Sequence, residues 1–152
     1  MDYTVKWGHD AVYRDAAALR TEVFVDEQEF CEEFDELDKT AHHMVIYDAD
    51  GAPVATGRLF DEDGGLWHVG RICVVKRMRG TGLGRIVVEQ LEIKAHALGA
   101  QRIILGAQKR VRGFYETLGY RVCGDEYFEE YCAHLPMDKA LGTATERHGP
   151  QI

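Results

Sequence analysis

The chain has 152 residues, 45% of them hydrophobic and 29% charged, with a formal net charge of −8. That is the length of one ordinary domain with its own core and the composition of a soluble globular protein. The acidic balance argues against general nucleic-acid binding, and no apolar run approaches the roughly 18 residues a membrane span needs.

The opening MDYTVKWGHDAVYRDAAALR has neither a basic n-region nor an apolar h-region, so no secretory signal is expected. After Asp10, an N-cap candidate, Val12, Ala16, Leu19 and Val23 recur at helical spacing and predict a helix to about Val25. An acidic arm follows, in which Phe34 and Leu37 are expected to anchor a short helical turn. HMVIYDADGAPVATGRLF reads as two strands joined at Asp50-Gly51, a common hairpin turn. DEDGG makes a second turn, and LWHVGRICVV is the next strand. The helix expected from Leu83 to Leu98 has a buried stripe of Leu83, Val87, Leu91, Ala95 and Leu98, and Gly99 ends it. QRIILGA carries the apolar run of a strand of the kind found buried in a parallel pair. Val111, Phe114, Tyr115 and Leu118 predict a short helix stopped by Gly119. YRVCGDEYFEE and YCAHLPMDKAL close the domain as a strand pair. Cys31, Cys73, Cys123 and Cys132 form no C-x-x-C pair, so neither a zinc site nor a disulfide framework is expected. Cys73 and Cys123 read as buried thiols, and a reducing cytoplasm is the expected compartment. The reading is an α/β (α+β) fold: a single domain over residues 1–140, a mixed central sheet of about six to seven strands with helices on both faces, and a polar, flexible tail over 141–152.

Charge is unevenly placed along this order. Nine acids and no Lys or Arg lie from Glu22 to Asp38, whereas residues 64–88 hold five bases (Arg71, Lys76, Arg77, Arg79 and Arg85) and no acid. The basic island coincides with KRMRGTGLGR, a glycine-rich turn between a strand and a helix. Such a turn is an anion site, because free backbone N–H groups converge on it and the helix dipole favours negative charge. No Walker A string occurs, and the G-x-G-x-G spacing is not the G-x-G-x-x-G of a dinucleotide fingerprint. A nucleotide-binding protein is therefore disfavoured. What is present is R-x-x-G-x-G, as Arg79, Gly82 and Gly84.

With its surroundings, that string resembles the pyrophosphate loop of the GNAT superfamily of N-acetyltransferases. The apolar strand GRICVV precedes it, and QKRVRGFYETLGY is similar to the family's downstream pattern, with Gln108 in place of Asn and Val111 in place of Ala. LRTEVFVDEQEF and AHLPM resemble the ElaA-like branch. The resemblance covers roughly residues 3–140 and implies an acetyl-CoA-dependent N-acetyltransferase, monomeric or homodimeric, that passes the acetyl group directly to a small amine. It implies that Ile72, Cys73 and Val74 lie beside the cofactor's pantetheine arm. It assigns Arg79, Gly80, Thr81, Gly82, Leu83, Gly84 and Arg85 to the pyrophosphate and Gln108 to the cofactor arm. The resemblance places Tyr115 in the general-acid position, where a phenol of pKa near ~10 keeps a proton to give to the leaving thiolate. The base stays open: His68 is the first candidate, its imidazole titrating near ~6.5, and Glu27, His43 and His134 are rivals on the acceptor side. An alternative is a catalytically silent acyl-CoA-binding or regulatory module on the same fold.

Overall fold

The computed structural model describes residues 2–142. Eight strands and three α-helices follow in chain order: β1 (Tyr3–Trp7), α1 (Ala11–Arg20), β2 (His42–Asp48), β3 (Pro53–Asp61), β4 (Leu66–Val74), α2 (Leu83–Ala97), β5 (Arg102–Gln108), α3 (Arg112–Thr117), β6 (Arg121–Val122), β7 (Tyr127–Glu129) and β8 (Cys132–Ala140). Hydrogen-bonded neighbours run β1-β2-β3-β4-β5-β8-β6, with β7 also on β8. The sheet is mixed, parallel at β4–β5 and antiparallel at β1–β2, β2–β3 and β5–β8.

The contacts group into two compact units. One comprises residues 2–60 and 69–91, the other residues 61–68 and 92–142. In the first, β2 is buried from His43 to Tyr47 and β3 from Val54 to Phe60, so both strands are covered on both faces, with His43, Thr56 and Arg58 as buried polar residues. Gly57 matters to what lies above it. A Cβ there would come within 2.8 Å of Leu91 Cδ1 and 3.1 Å of Val87 Cγ1, so the missing side chain lets α2 seat close on β3. Leu83, Val87, Leu91 and Ala95 form the buried stripe expected of α2. Each is worth up to about 1.5–3 kcal/mol for a full Leu- or Val-sized side chain, and together they fix where the helix begins.

In the second unit, β5 pairs with β8 over seven positions, from Arg102↔Ala140 to Gln108↔His134. Ile103, Leu105, Ala107, Leu135 and Met137 make one buried face with Tyr115 and Tyr120. The Tyr120 hydroxyl donates to Glu92 Oε2 (2.8 Å), whose carboxylate also takes the Lys139 ammonium at 3.1 Å, so the buried acid is paired.

Several expectations are corrected. The first helix is α-helical only to Arg20; Thr21–Glu27 continues as a π-helix, whose wider turn brings the adjacent Val23 and Phe24 both into the core. Asp10 stands at the N-cap and its carbonyl accepts the Arg14 N–H (3.1 Å), but its side chain makes no cap bond. Leu98 lies past the end of α2 and is 41% exposed, and Cys123 is exposed because the expected closing strand breaks into β6 and β7 around it. β5 has only three parallel pairs and is chiefly antiparallel. The short helical turn forms at Glu36–Lys39, but Phe34 before it and Leu37 within it are both exposed and do not anchor it in the core. Residues 143–152 of the expected tail lie outside the described residues.

Candidate active site

After β4, a 3-10 turn at Lys76–Met78 leads to the glycine segment. The Thr81 hydroxyl donates to the Met78 carbonyl (2.6 Å) and draws the loop tight. Gly80 (φ 79°) and Gly82 (φ 87°) are both left-handed, and a Cβ on either would meet nothing in the protein. Glycine is therefore needed here for backbone conformation and not for want of room. Ile86 N–H donates to the Gly82 carbonyl (3.3 Å), the first bond of α2. The N–H groups of Leu83, Gly84 and Arg85 precede it and have no intrahelical acceptor. A strand, a left-handed turn and a helix N-terminus thus form a cradle of amide donors suited to a phosphate-type anion.

The basic side chains around this cradle are differently employed. Arg79 donates Nε to the Val74 carbonyl (3.0 Å) and both Nη groups to the Glu27 carboxylate, one at 2.8 Å. Arg77 reaches Asp48 (3.5 Å) and Arg85 reaches Glu89 one turn along α2 (3.0 Å). The chain therefore supplies counter-charges to an island that reads as unopposed in sequence. Glu27, expected on the acceptor side, is the clasp of Arg79.

The acidic arm is likewise countered, contrary to the sequence pattern. Arg20 of α1, only 1% exposed, donates to Glu33 (2.9 Å) and Asp38 (2.7 Å). Arg58 of β3 bonds Asp35 (2.7 Å) and Asp38 (2.8 Å), and Arg71 of β4 bonds Glu33 (3.0 Å) and Asp35 (3.3 Å). Burial works to raise the Asp38 carboxyl, but the bonds from Arg20 and Arg58 outweigh it and hold the group at about 2. For Glu33 burial wins over the arginines and the carboxyl is raised. Nothing in the local sequence flags this network, because its partners lie 13 to 38 residues apart. A cleft of about 700 Å³ opens beside the arm, lined by His9, Tyr13, Phe34, Asp35, Asp38 and Lys39 among others.

Ile72, Cys73 and Val74 end β4. The Cys73 thiol is buried against the Leu19 carbonyl, and burial raises its pKa, so it is no thiolate at neutral pH. His43 is fully buried, its Nε2 donating to the Asp38 carbonyl (2.8 Å) and its ring packed by Tyr13 and His9. Burial lowers its pKa, and it stands as a neutral core histidine.

In the second unit, β4–β5 pairing ends at His68↔Ile104. His68 is one-third exposed at that point, its Nδ1 3.2 Å from Glu62 Oε1. Tyr115 sits on α3 with its ring edge-on to Phe114 and Tyr120, 8% exposed. Burial pushes its phenol up to about 12, so it holds its proton throughout neutral pH. Gln108 ends β5 and accepts a bond from Arg110 (3.1 Å). His134 lies opposite it on β8, nearly buried, with Nδ1 donating to the Cys132 carbonyl (3.0 Å) and Nε2 3.6 Å from Glu129. Tyr127 stacks on His134, and its hydroxyl occupies the space over Gly106 that any Cβ there would fill, an arrangement that sequence spacing does not reveal.

A family model described as an acetyltransferase (GNAT) domain matches residues 9–141. The Bacillus subtilis (strain 168) protein named "Uncharacterized N-acetyltransferase YjcF" is 41% identical over 129 residues, covering 83% of this chain and 91% of that one. An acyl-CoA N-acyltransferase structure from Pseudomonas aeruginosa superposes with a TM-score of 0.80 at 30% identity, covering 91% of this chain and 99% of that one. Escherichia coli ElaA shares the fold, with a TM-score of 0.76 at 24% identity over 90% of this chain and 99% of its own. The protein is an acyltransferase, and the chain belongs to the GNAT acetyltransferase family.

Proposed function

We propose that the protein moves an acetyl group from acetyl-CoA directly to the nitrogen of a small amine. The observation that carries this reading is the left-handed Gly80–Gly82 turn opening the N-terminus of α2, whose amides suit the cofactor's pyrophosphate. In this reading Ile72–Val74 lie along the pantetheine arm and Gln108 assists in holding it. A neutral amine attacks the thioester carbonyl, and the tetrahedral oxyanion collapses to break the C–S bond. Tyr115 gives its phenolic proton to the departing thiolate and is reprotonated from solvent. Burial raises the phenol to about 12, so it still carries its proton at neutral pH when the C–S bond breaks.

The proton lost by the amine goes to His68, directly or through water. Its side chain is one-third exposed, and Glu62 orients the ring through Nδ1. His43 is too deeply packed for this role, and Glu27 has both oxygens on Arg79. His134 remains an acceptor-side residue. Residues 1–140 act as one catalytic domain of the ElaA-like branch, working in the cytoplasm as a monomer or homodimer. The test is release of free thiol from acetyl-CoA across a panel of small amines, amino sugars, polyamines and peptides. Amine-dependent release supports the reading. Tight acetyl-CoA binding with no release across the panel would make the protein a silent acyl-CoA-binding module.

A further inference from the structure

Four non-glycine residues among those described have positive φ: Glu29, Asp63, Arg71 and Glu130. Three stand in turns or loops, whereas Arg71 (φ 51°) stands inside β4, immediately before Ile72. A left-handed residue within a strand turns the peptide planes on either side of it, and so sets where the next N–H points. An arginine does not adopt that conformation without help.

The help comes from the arm. Arg71 Nε lies 3.0 Å from Glu33 Oε2 and 3.1 Å from the Glu33 carbonyl, and Nη2 reaches Asp35 (3.3 Å). Glu33 and Asp35 are themselves fixed, because Arg20 and Arg58 bond the same two carboxylates and join them through Asp38. Three arginines from α1, β3 and β4 thus meet three carboxylates of one arm. We propose that Arg71 is a positioning residue for cofactor binding: the Glu33–Asp35 clamp holds its backbone left-handed and thereby aims the amides of Ile72–Val74. This rests on the acetyl-CoA reading above and assigns the arm a task within it. The arm is the splint of the cofactor strand.

The clamp predicts an unusual order of variants. In an ordinary strand glycine is worse than alanine; at a left-handed position the order reverses. Arg71→Ala, Arg71→Gly and Glu33→Gln are compared by calorimetry with acetyl-CoA and by amide hydrogen exchange of Ile72–Val74 in the ligand-free protein. Arg71→Ala should raise Kd about ten-fold, equivalent to ~1.4 kcal/mol, and quicken exchange at those amides. Arg71→Gly should fall between the parent and Arg71→Ala on both measures. Glu33→Gln should raise Kd in the parent background and add little in Arg71→Gly, where the backbone no longer needs the clamp. Equal or greater damage from glycine than from alanine would overturn the inference, as would parent-like binding and exchange in all three. Should the parent fail to bind acetyl-CoA, the proposed function falls, and the exchange order alone decides the clamp.

Discussion

Replacing Gly82 by valine separates the needs of the backbone from those of the ligand, provided the strain is measured independently. Gly82 has φ 87° and its added Cβ would meet no protein atom within 4 Å. Gly51, in the β2–β3 turn, has φ 83° and the same open surroundings. A β-branched residue at either position pays only for the left-handed conformation, about 1–2 kcal/mol. For a domain of this size each kcal/mol lowers Tm by roughly 2–4 °C, so both variants should melt about 2–8 °C below the parent and close to each other. Their cofactor affinities should differ. At Gly82 the side chain projects where the pyrophosphate is to approach the amides, and calorimetry should show acetyl-CoA affinity reduced at least about ten-fold, or ~1.4 kcal/mol. Gly51→Val should bind like the parent. Equal affinity in two folded variants with equal Tm would refute the placement of the pyrophosphate at this turn.

Tyr115→Phe keeps the ring contacts with Phe114 and Tyr120 and should lower kcat about 10²–10⁴-fold with little change in acetyl-CoA Kd; an unchanged kcat would leave Tyr115 a core residue. With its phenol at about 12, Tyr115 should contribute no falling limb to the pH–rate profile below about pH 10, which a profile from pH 6 to 10 checks. His68→Ala should lose the acid-side limb of that profile, whereas an intact limb would pass the base role to His134. Asp38, held at about 2 against an unfolded value near ~3.9, stabilises the fold above pH ~4 by about 2 kcal/mol and loses that contribution as pH falls toward 2. Urea unfolding should therefore show Asp38→Asn destabilised at pH 7, with its gap from the parent narrowing below pH 4; a constant gap would contradict the ion-pair account.

The parts legible in the sequence are those governed by local chemistry. Gly51, Gly99 and Gly119 end strands and helices by left-handed turns that follow from glycine alone, and all three are left-handed. The α2 stripe follows from its period, and the anion cradle from glycines clustered at the start of a helix. What was not legible depends on partners distant along the chain. Nine clustered acids read as an exposed, unopposed field, yet Glu27, Glu33, Asp35, Glu36 and Asp38 are paired, chiefly with arginines from other elements. The basic island misleads in the same way, since Arg79 is clasped by Glu27 across 52 positions. Arg71 reads as an ordinary strand residue until its φ of 51° is known. Tyr127 over Gly106 likewise needs the β7–β8 hairpin in place before it has meaning.

The most direct test of the account is to follow labelled acetyl from acetyl-CoA in a single turnover with an accepted amine, quenched in acid. Direct transfer predicts label on the amine nitrogen in step with thiol release, none retained on the protein, and both signals reduced about ten-fold or more in Gly82→Val at subsaturating acetyl-CoA. Label retained on the protein, or bound acetyl-CoA that never surrenders its acetyl group to any amine, would contradict it.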